Sequence, residues 1–422
     1  MFHIMLMISL MMHPSPPVDS PEAAKALHIL LDQKDFFRLR SAIETNSPAI
    51  SPRETLYFAA FVNNAFNQHQ QSIQNINLLL EQYPQSLNDT VIARLLTLQK
   101  DNYAKTFQYG LAGKTNRLLL DKYHRVLDST QTADAANDSY IWRTLADIPP
   151  QEVHIPKATS IPWKTDKVKL INIPVKTGGQ EHNFIFDTGA NISTVSQSFA
   201  KQLGLRMLNP PGKNEVVPSW YSQLAVADSL YIGEALVQHV VFLVLPDNQL
   251  AFPGIDYAIN GIIGYPVIAG LKEIRLFQNG TLTIPQQSAK SNLNNLALDG
   301  LNPIVAFATD QDTLCFEFDP GANHTDLFYT YLLKHKQLIQ QQAQLTTIES
   351  GCADEVVNTE VYILPDFNLH VGDKKVTLHQ VKVQTRPVEG TKEKCYGNIG
   401  QDFIRNFGEM TLNFEHMYVS FR

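Results

Sequence analysis

The chain has 422 residues, 44% of them hydrophobic and 18% charged, a make-up that suits a globular protein with real cores and excludes a disordered chain. A formal net charge of −7, with no Lys/Arg-rich run and no aromatic-basic stripe, argues against nucleic acid as a partner. Three cysteines, Cys315, Cys352 and Cys395, are too few for a disulfide framework and lack the spacing of a zinc site.

Met1 to Met12 is apolar and Met-rich and is followed by His13-Pro14-Ser15-Pro16-Pro17. It has the look of a short signal-peptide core, but it lacks both a Lys/Arg start and an Ala-x-Ala site. Residues 1–19 are therefore read either as an export signal, implying an extracytoplasmic location, or as a disordered tail. No later segment is long and apolar enough for a transmembrane helix, so stable membrane insertion is not expected.

Residues 20–146 carry a helical pattern. Ser20-Pro21-Glu22 reads as an N-cap with Pro at the first helical position, leading into Ala24, Leu27, Leu30 and Leu31 on one face. Ser51-Pro52-Arg53-Glu54 has the form of a capping box. Ile73, Ile76, Leu79 and Leu80 lie at helical spacing before Tyr83-Pro84, and Val91, Leu95 and Leu98 continue in the next segment. Helices of this length with short connections are able to stack as antiparallel pairs, in the manner of a tetratricopeptide-like solenoid, although no repeat period is legible. The aromatics here, Phe36, Phe61, Tyr103 and Phe107, read as core.

The pattern stops at Pro149-Pro150, because successive prolines lack helix-forming amides and push the preceding residue to extended geometry. Residues 147–161 are read as a linker, and beyond them the period changes from helical to alternating. Lys167 to Val175 alternates as a strand, Thr177-Gly178-Gly179-Gln180 is a turn, and His182 to Phe186 returns into Asp187-Thr188-Gly189-Ala190. Phe199 to Leu203 suggests a short helix, Leu230 to Val237 a hairpin turning at Gly233, and Val240 to Leu245 a further strand. Asn260-Gly261-Ile262-Ile263-Gly264 follows, and then a second hairpin, Glu273 to Phe277 and Thr281 to Ile284, turning at Asn279-Gly280. These elements make one β lobe over 162–286, with 287–300 as a polar linker.

The same order recurs over 301–422. Asn302 to Thr309 and Leu314 to Phe318 are strands, and the second ends in Asp319-Pro320-Gly321-Ala322. Tyr331 stands as far past Asp319 as Phe199 does past Asp187. Leu369 to Asp373 repeats the Gly233 hairpin, and Val381 to Thr385 the strand after it. Gly397-Asn398-Ile399-Gly400 repeats Gly261 to Gly264, and Glu409 to Phe414 with Met417 to Phe421 repeats the terminal hairpin. The fold class is thus α+β multidomain: a helical domain, then two tandem all-β lobes.

Two carboxylates at equivalent positions of a duplicated unit have a use that neither has alone. If the lobes pack about a pseudo-twofold axis, Asp187 and Asp319 meet at it, and like charges that close share one proton. One carboxylate then takes a proton from water attacking a peptide carbonyl while the other donates to the developing oxyanion or leaving amine, with no metal, cofactor or covalent nucleophile.

The strand-Asp-Thr-Gly-Ala element, the apolar-apolar-Gly motif at Ile262-Ile263-Gly264 and the recurrence of both resemble the retropepsin- and pepsin-like aspartic peptidases over about Pro162 to Arg422. A helical N-terminal part before two lobes in one chain looks like bacterial members of the retropepsin-like group. The resemblance implies a polypeptide substrate, lobes that pair within one chain without dimerisation, and Asp187 and Asp319 as the catalytic pair. It gives Thr188, Gly189 and Ala190, with Pro320, Gly321 and Ala322, as supporting loops, and places Asn398-Ile399-Gly400 behind the second. It implies flaps near Val217 to Tyr221 and Ser350 to Cys352, with Trp220, Tyr221, Ser350 and Gly351 as substrate-binding candidates. The family has Thr or Ser after each aspartate, whereas Pro320 has neither hydroxyl nor N–H. A degenerate second lobe that only binds peptide, as a scaffold, is the rival reading. Cysteine content leaves room for one bridge, with Cys352 to Cys395 the favoured pair.

Overall fold

The computed structural model of the protein describes residues 21–46, 49–209, 223–352, 355–387 and 394–422. The signal-like stretch and the expected cap at Ser20 lie outside them. Helices α1 (Pro21–Asp32), α2 (Phe36–Asn46), α3 (Pro52–Ala65), α4 (His69–Gln82), α5 (Asp89–Lys105), α6 (Tyr109–Tyr123) and α7 (Ser129–Thr144) come first. Their starts follow from side-chain chemistry. Ser51 and Glu54 close the capping box of α3, Asn88 accepts from the Val91 N–H at α5, and Asp128 with Gln131 forms a second box at α7.

The helices stack as pairs, α1 with α2, α3 with α4 and α5 with α6. Each pair turns on one left-handed residue, Lys34 (φ 56°), Asn67 (φ 60°) or Phe107 (φ 56°). In each, the next N–H reaches back to a carbonyl five residues earlier: Asp35 to Leu30 at 3.0 Å, Gln68 to Asn63 at 2.7 Å and Gln108 to Tyr103 at 2.8 Å. A repeat therefore exists in the backbone. Its turn residues share no side-chain chemistry and its spacing is uneven, which is why no period shows in the sequence.

A buried polar cluster ties α3, α4 and α5 together. Lys105, with 1% of its side chain exposed, pairs with Asp101 at 2.7 Å and donates to Asn64 Oδ1 at 3.0 Å. Asn64 donates to Asp101 and Asn102, and Asn102 to Ser72. Burial, reinforced by Lys105, pushes the His69 imidazole down to about 4, so it packs here as a neutral ring.

The first lobe closes as a barrel through strands Ile171–Thr177, Gln180–Phe186, Gly261–Ile263, Ser193–Ser196, Ala235–Leu245 and Gln223–Ile232, the last pairing back to the first. The second lobe repeats this with Asn302–Thr309, Thr313–Phe318, Gly397–Ile399, Asp326–Leu327, Lys374–Gln384 and Glu355–Val371. Parallel and antiparallel pairings agree strand for strand: Phe186 lies beside Ile263 and Phe318 beside Ile399, both parallel. A third sheet joins the lobes, in the order Thr159–Pro162, Thr281–Ile284, Glu273–Phe277, Glu409–Asn413, Tyr418–Phe421. Its central register pairs Glu273 with Asn413 and Phe277 with Glu409. Buried Glu273 accepts from Arg275, from Asn413 and from the Ala289 N–H.

The helical domain covers the outer face of the first lobe, where Tyr109 and Leu145 share a core with Leu208, Leu224 and Val226. Asn67 donates to the Phe414 carbonyl at 2.7 Å, and Lys34 pairs with Asp299, so the domain also grips the joining sheet and the second lobe.

Several expectations change. Both stretches read as linkers contribute strands, Glu152–His154 and Thr159–Pro162 in one and Leu296–Asp299 in the other, because each pairs along the open edge of a sheet with a partner strand that lies outside its own stretch. The strand expected from Lys167 starts at Ile171. Asp166 accepts from the Val168 and Leu170 N–H groups and folds the intervening residues into a turn. Ala235 to Leu245 is one strand rather than two: His239 is left-handed (φ 56°), yet the register with the partner strand stays one-to-one across it, as it does across the left-handed Gln380 (φ 55°) in Lys374–Gln384 of the second lobe. Cys395 is a buried free thiol, as Cys315 is free, so the favoured bridge to Cys352 is not formed. Cys352 pairs with Glu355 at the end of a hairpin strand, whereas Tyr396, next to Cys395, bonds back to Cys315.

Candidate active site

Each aspartate stands at the end of a strand anchored by buried aromatics, Phe184 and Phe186 in one lobe and Phe316 and Phe318 in the other. The Asp187 N–H donates to the Ile263 carbonyl at 3.1 Å, and the Asp319 N–H to the Ile399 carbonyl at 3.1 Å. The turn then brings the next glycine amide back onto the carboxylate: Gly189 to Asp187 Oδ1 at 2.8 Å and Gly321 to Asp319 Oδ1 at 2.7 Å. Behind each loop the peptide following the apolar-Gly motif closes the frame, Tyr265 N–H to the Ala190 carbonyl at 2.8 Å and Gln401 N–H to the Ala322 carbonyl at 2.9 Å.

The two loops interleave. A β-carbon on Gly321 would lie 2.6 Å from Asp187 Oδ1, and one on Gly189 would lie 3.1 Å from Asp319 Oδ2. A side chain on Gly321 would force Asp187 to shift and one on Gly189 would crowd Asp319, so the two carboxylates are neighbours. Burial, followed by the adjacent Asp187 charge and a hydrogen bond to it, raises the Asp319 carboxyl well above the usual range.

Two hydroxyls that sequence reading passed over belong to this frame. Ser193 accepts from the Gly264 N–H at 3.0 Å and Thr325 from the Gly400 N–H at 3.1 Å. Each sits six residues after its aspartate, a matching Ser/Thr offset that could have revealed both. Thr325 is itself fixed by Asp402.

The residue after each aspartate breaks the symmetry. Thr188 is fully buried and donates across the lobes to the Phe318 carbonyl at 3.1 Å. Pro320 has no hydroxyl with which to return that bond to the first lobe. Its carbonyl is held instead by Gln401 Nε2 at 3.0 Å, and Arg405 donates to Gln401 Oε1 at 2.6 Å and to Asn323 Oδ1 at 3.0 Å.

The flap candidates divide. Trp220 and Tyr221 lie outside the described residues, in the connection between the paired strands Arg206–Met207 and Gln223–Ile232. Ser350 and Gly351 are on a hairpin strand, paired with Val357 and Val356. Among the described residues no group of three or more His, Cys, Asp or Glu could hold a metal ion.

Residues 173–267 match the family model described as Aspartyl protease, a span that holds both Asp187-Thr188-Gly189 and Gly261 to Gly264. Over that span the chain is similar to aspartyl proteases. The second lobe lies beyond the matched span and repeats its pairings strand for strand. A solved structure, a retropepsin-like aspartic protease from Rickettsia conorii, matches at 17% identity and a TM-score of 0.22, covering 33% of this chain and 96% of that one. No curated protein matches the sequence. Peptide is the substrate class that goes with an aspartyl protease lobe, and among the described residues no helix is long and apolar enough to cross a membrane.

Proposed function

We propose that the chain is an aspartic endopeptidase in which Asp187 and Asp319 share one proton and activate a water between them. The ionised Asp187 takes a proton from that water as its oxygen bonds to the peptide carbonyl carbon. Protonated Asp319 donates to the carbonyl oxygen, and collapse of the adduct breaks the C–N bond while a proton passes to the leaving nitrogen. The observation that carries this reading is the interleaving of the two loops, which sets the carboxylates side by side, where burial and then the Asp187 charge raise the Asp319 carboxyl. Asp187→Asn should abolish cleavage of an unfolded polypeptide while the circular dichroism spectrum is kept. Undiminished cleavage by that variant ends the dyad assignment.

Pro320 favours a second reading, in which the cleft binds peptide without cutting it. Peptide binding by the unaltered protein with no cleavage at any pH would select it.

A further inference from the structure

Resting on the endopeptidase reading, we infer that Gln401 is a positioning residue for Asp319 and replaces the hydroxyl that Pro320 lacks. The bond from Gln401 Nε2 ends on the Pro320 carbonyl at 3.0 Å. That carbonyl and the Gly321 N–H are the two ends of one planar peptide group. The Gly321 N–H in turn donates to Asp319 Oδ1 at 2.7 Å. Fixing one end of the plane therefore aims the other at the carboxylate, and hydrogen bonds in series polarise one another.

The first lobe has none of this apparatus. Tyr265 stands where Gln401 does, immediately after the motif glycine, and its buried ring packs edge-on against Phe414 at 5.4 Å. Ala269 occupies the position of Arg405. The exchange is reciprocal: the lobe with Thr188 has an apolar neighbour behind its loop, and the lobe with Pro320 has a buried amide there. Gln401 is 3% exposed, and both ends of its amide are used, Nε2 on Pro320 and Oε1 by Arg405. Arg405 is exposed and bridges to Asn323 of the same loop, so the amide orientation is set from the surface.

Gln401→Met keeps the bulk and removes the donor. It should lower kcat about ten- to a hundredfold with KM nearly unchanged, because a reacting group is misaimed while the cleft is not. Weakening the Gly321 hydrogen bond to the ionised form raises the Asp319 pKa further, so the alkaline limb of the pH profile and the carboxyl titration seen by carbon-13 NMR should both move to higher pH. Arg405→Met, at an exposed position that does not threaten folding, should give a smaller change in the same direction. Wild-type kcat and an unmoved Asp319 titration in folded Gln401→Met overturn the inference and leave the endopeptidase reading standing. If Gln401→Met does not fold, an unmoved titration in Arg405→Met overturns it equally. A shifted titration in a protein that cleaves nothing retains the brace and removes the endopeptidase reading.

Discussion

Asp319→Asn should stabilise the protein against unfolding above neutral pH, and the size of the effect follows from the dyad. The carboxyl titrates near 3.8 in an unconstrained chain and is pushed up to about 7 in the fold, by burial first and by Asp187 second. A group whose folded pKa is raised stabilises the native state while it is protonated. That contribution is whole below the unfolded value and is lost as pH rises through the window from about 4 to about 7. At about 1.4 kcal/mol per unit, the loss comes to roughly 4 kcal/mol as an upper bound, less whatever solvent at the cleft screens. Asparagine resembles the protonated carboxyl and does not titrate. Urea unfolding of both proteins at several pH values should therefore give similar stabilities near pH 4 and a gap that widens to a few kcal/mol in favour of the variant by about pH 8. A gap that stays within about 0.5 kcal/mol across that range would refute the idea that the fold holds Asp319 protonated against its neighbour.

Thr188→Val keeps the shape but leaves the buried Phe318 carbonyl without its cross-lobe donor. It should cost about 1–3 kcal/mol in urea unfolding and lower kcat, and an unchanged midpoint would contradict the geometry. Lys105→Met strands the Asp101 carboxylate among α3, α4 and α5 and should cost about 3–5 kcal/mol by the same measurement, whereas a loss below about 1 kcal/mol would mean that the cluster is not a single unit.

Much of the β architecture was legible because its signals are local. Alternation, Asn279-Gly280 and the glycine at each hairpin specify strands and turns within a few residues, and duplication let each lobe check the other. The features that stayed hidden depend on backbone shape or on distant partners. Lys34, Asn67 and Phe107 occupy one kind of turn without sharing any chemistry. His239 and Gln380 are left-handed residues inside continuous strands, and in sequence they look like breaks between strands. Thr159–Pro162 finds its partner at Thr281–Ile284, far along the chain, so nothing nearby marks it as a strand. At the candidate site the motif glycines and both aspartates stood out by repetition. Gln401 did not, because it is the point where the two halves stop repeating each other.

The sheet joining the lobes makes that divergence affordable in evolutionary terms. In a homodimer built on a twofold axis, one gene writes both faces of the interface, so a proline beside one aspartate appears beside the other as well and both cross-bonds vanish together. Here Glu273–Phe277 and Glu409–Asn413 zip two separately encoded halves into one ladder. One half can then keep its hydroxyl while the other drifts to proline and recruits an amide from its own helix, Gln401–Ile404. The cleft between them is no longer bound to read its left and right sides alike, so a substrate that lacks any symmetry can be met by two walls shaped independently.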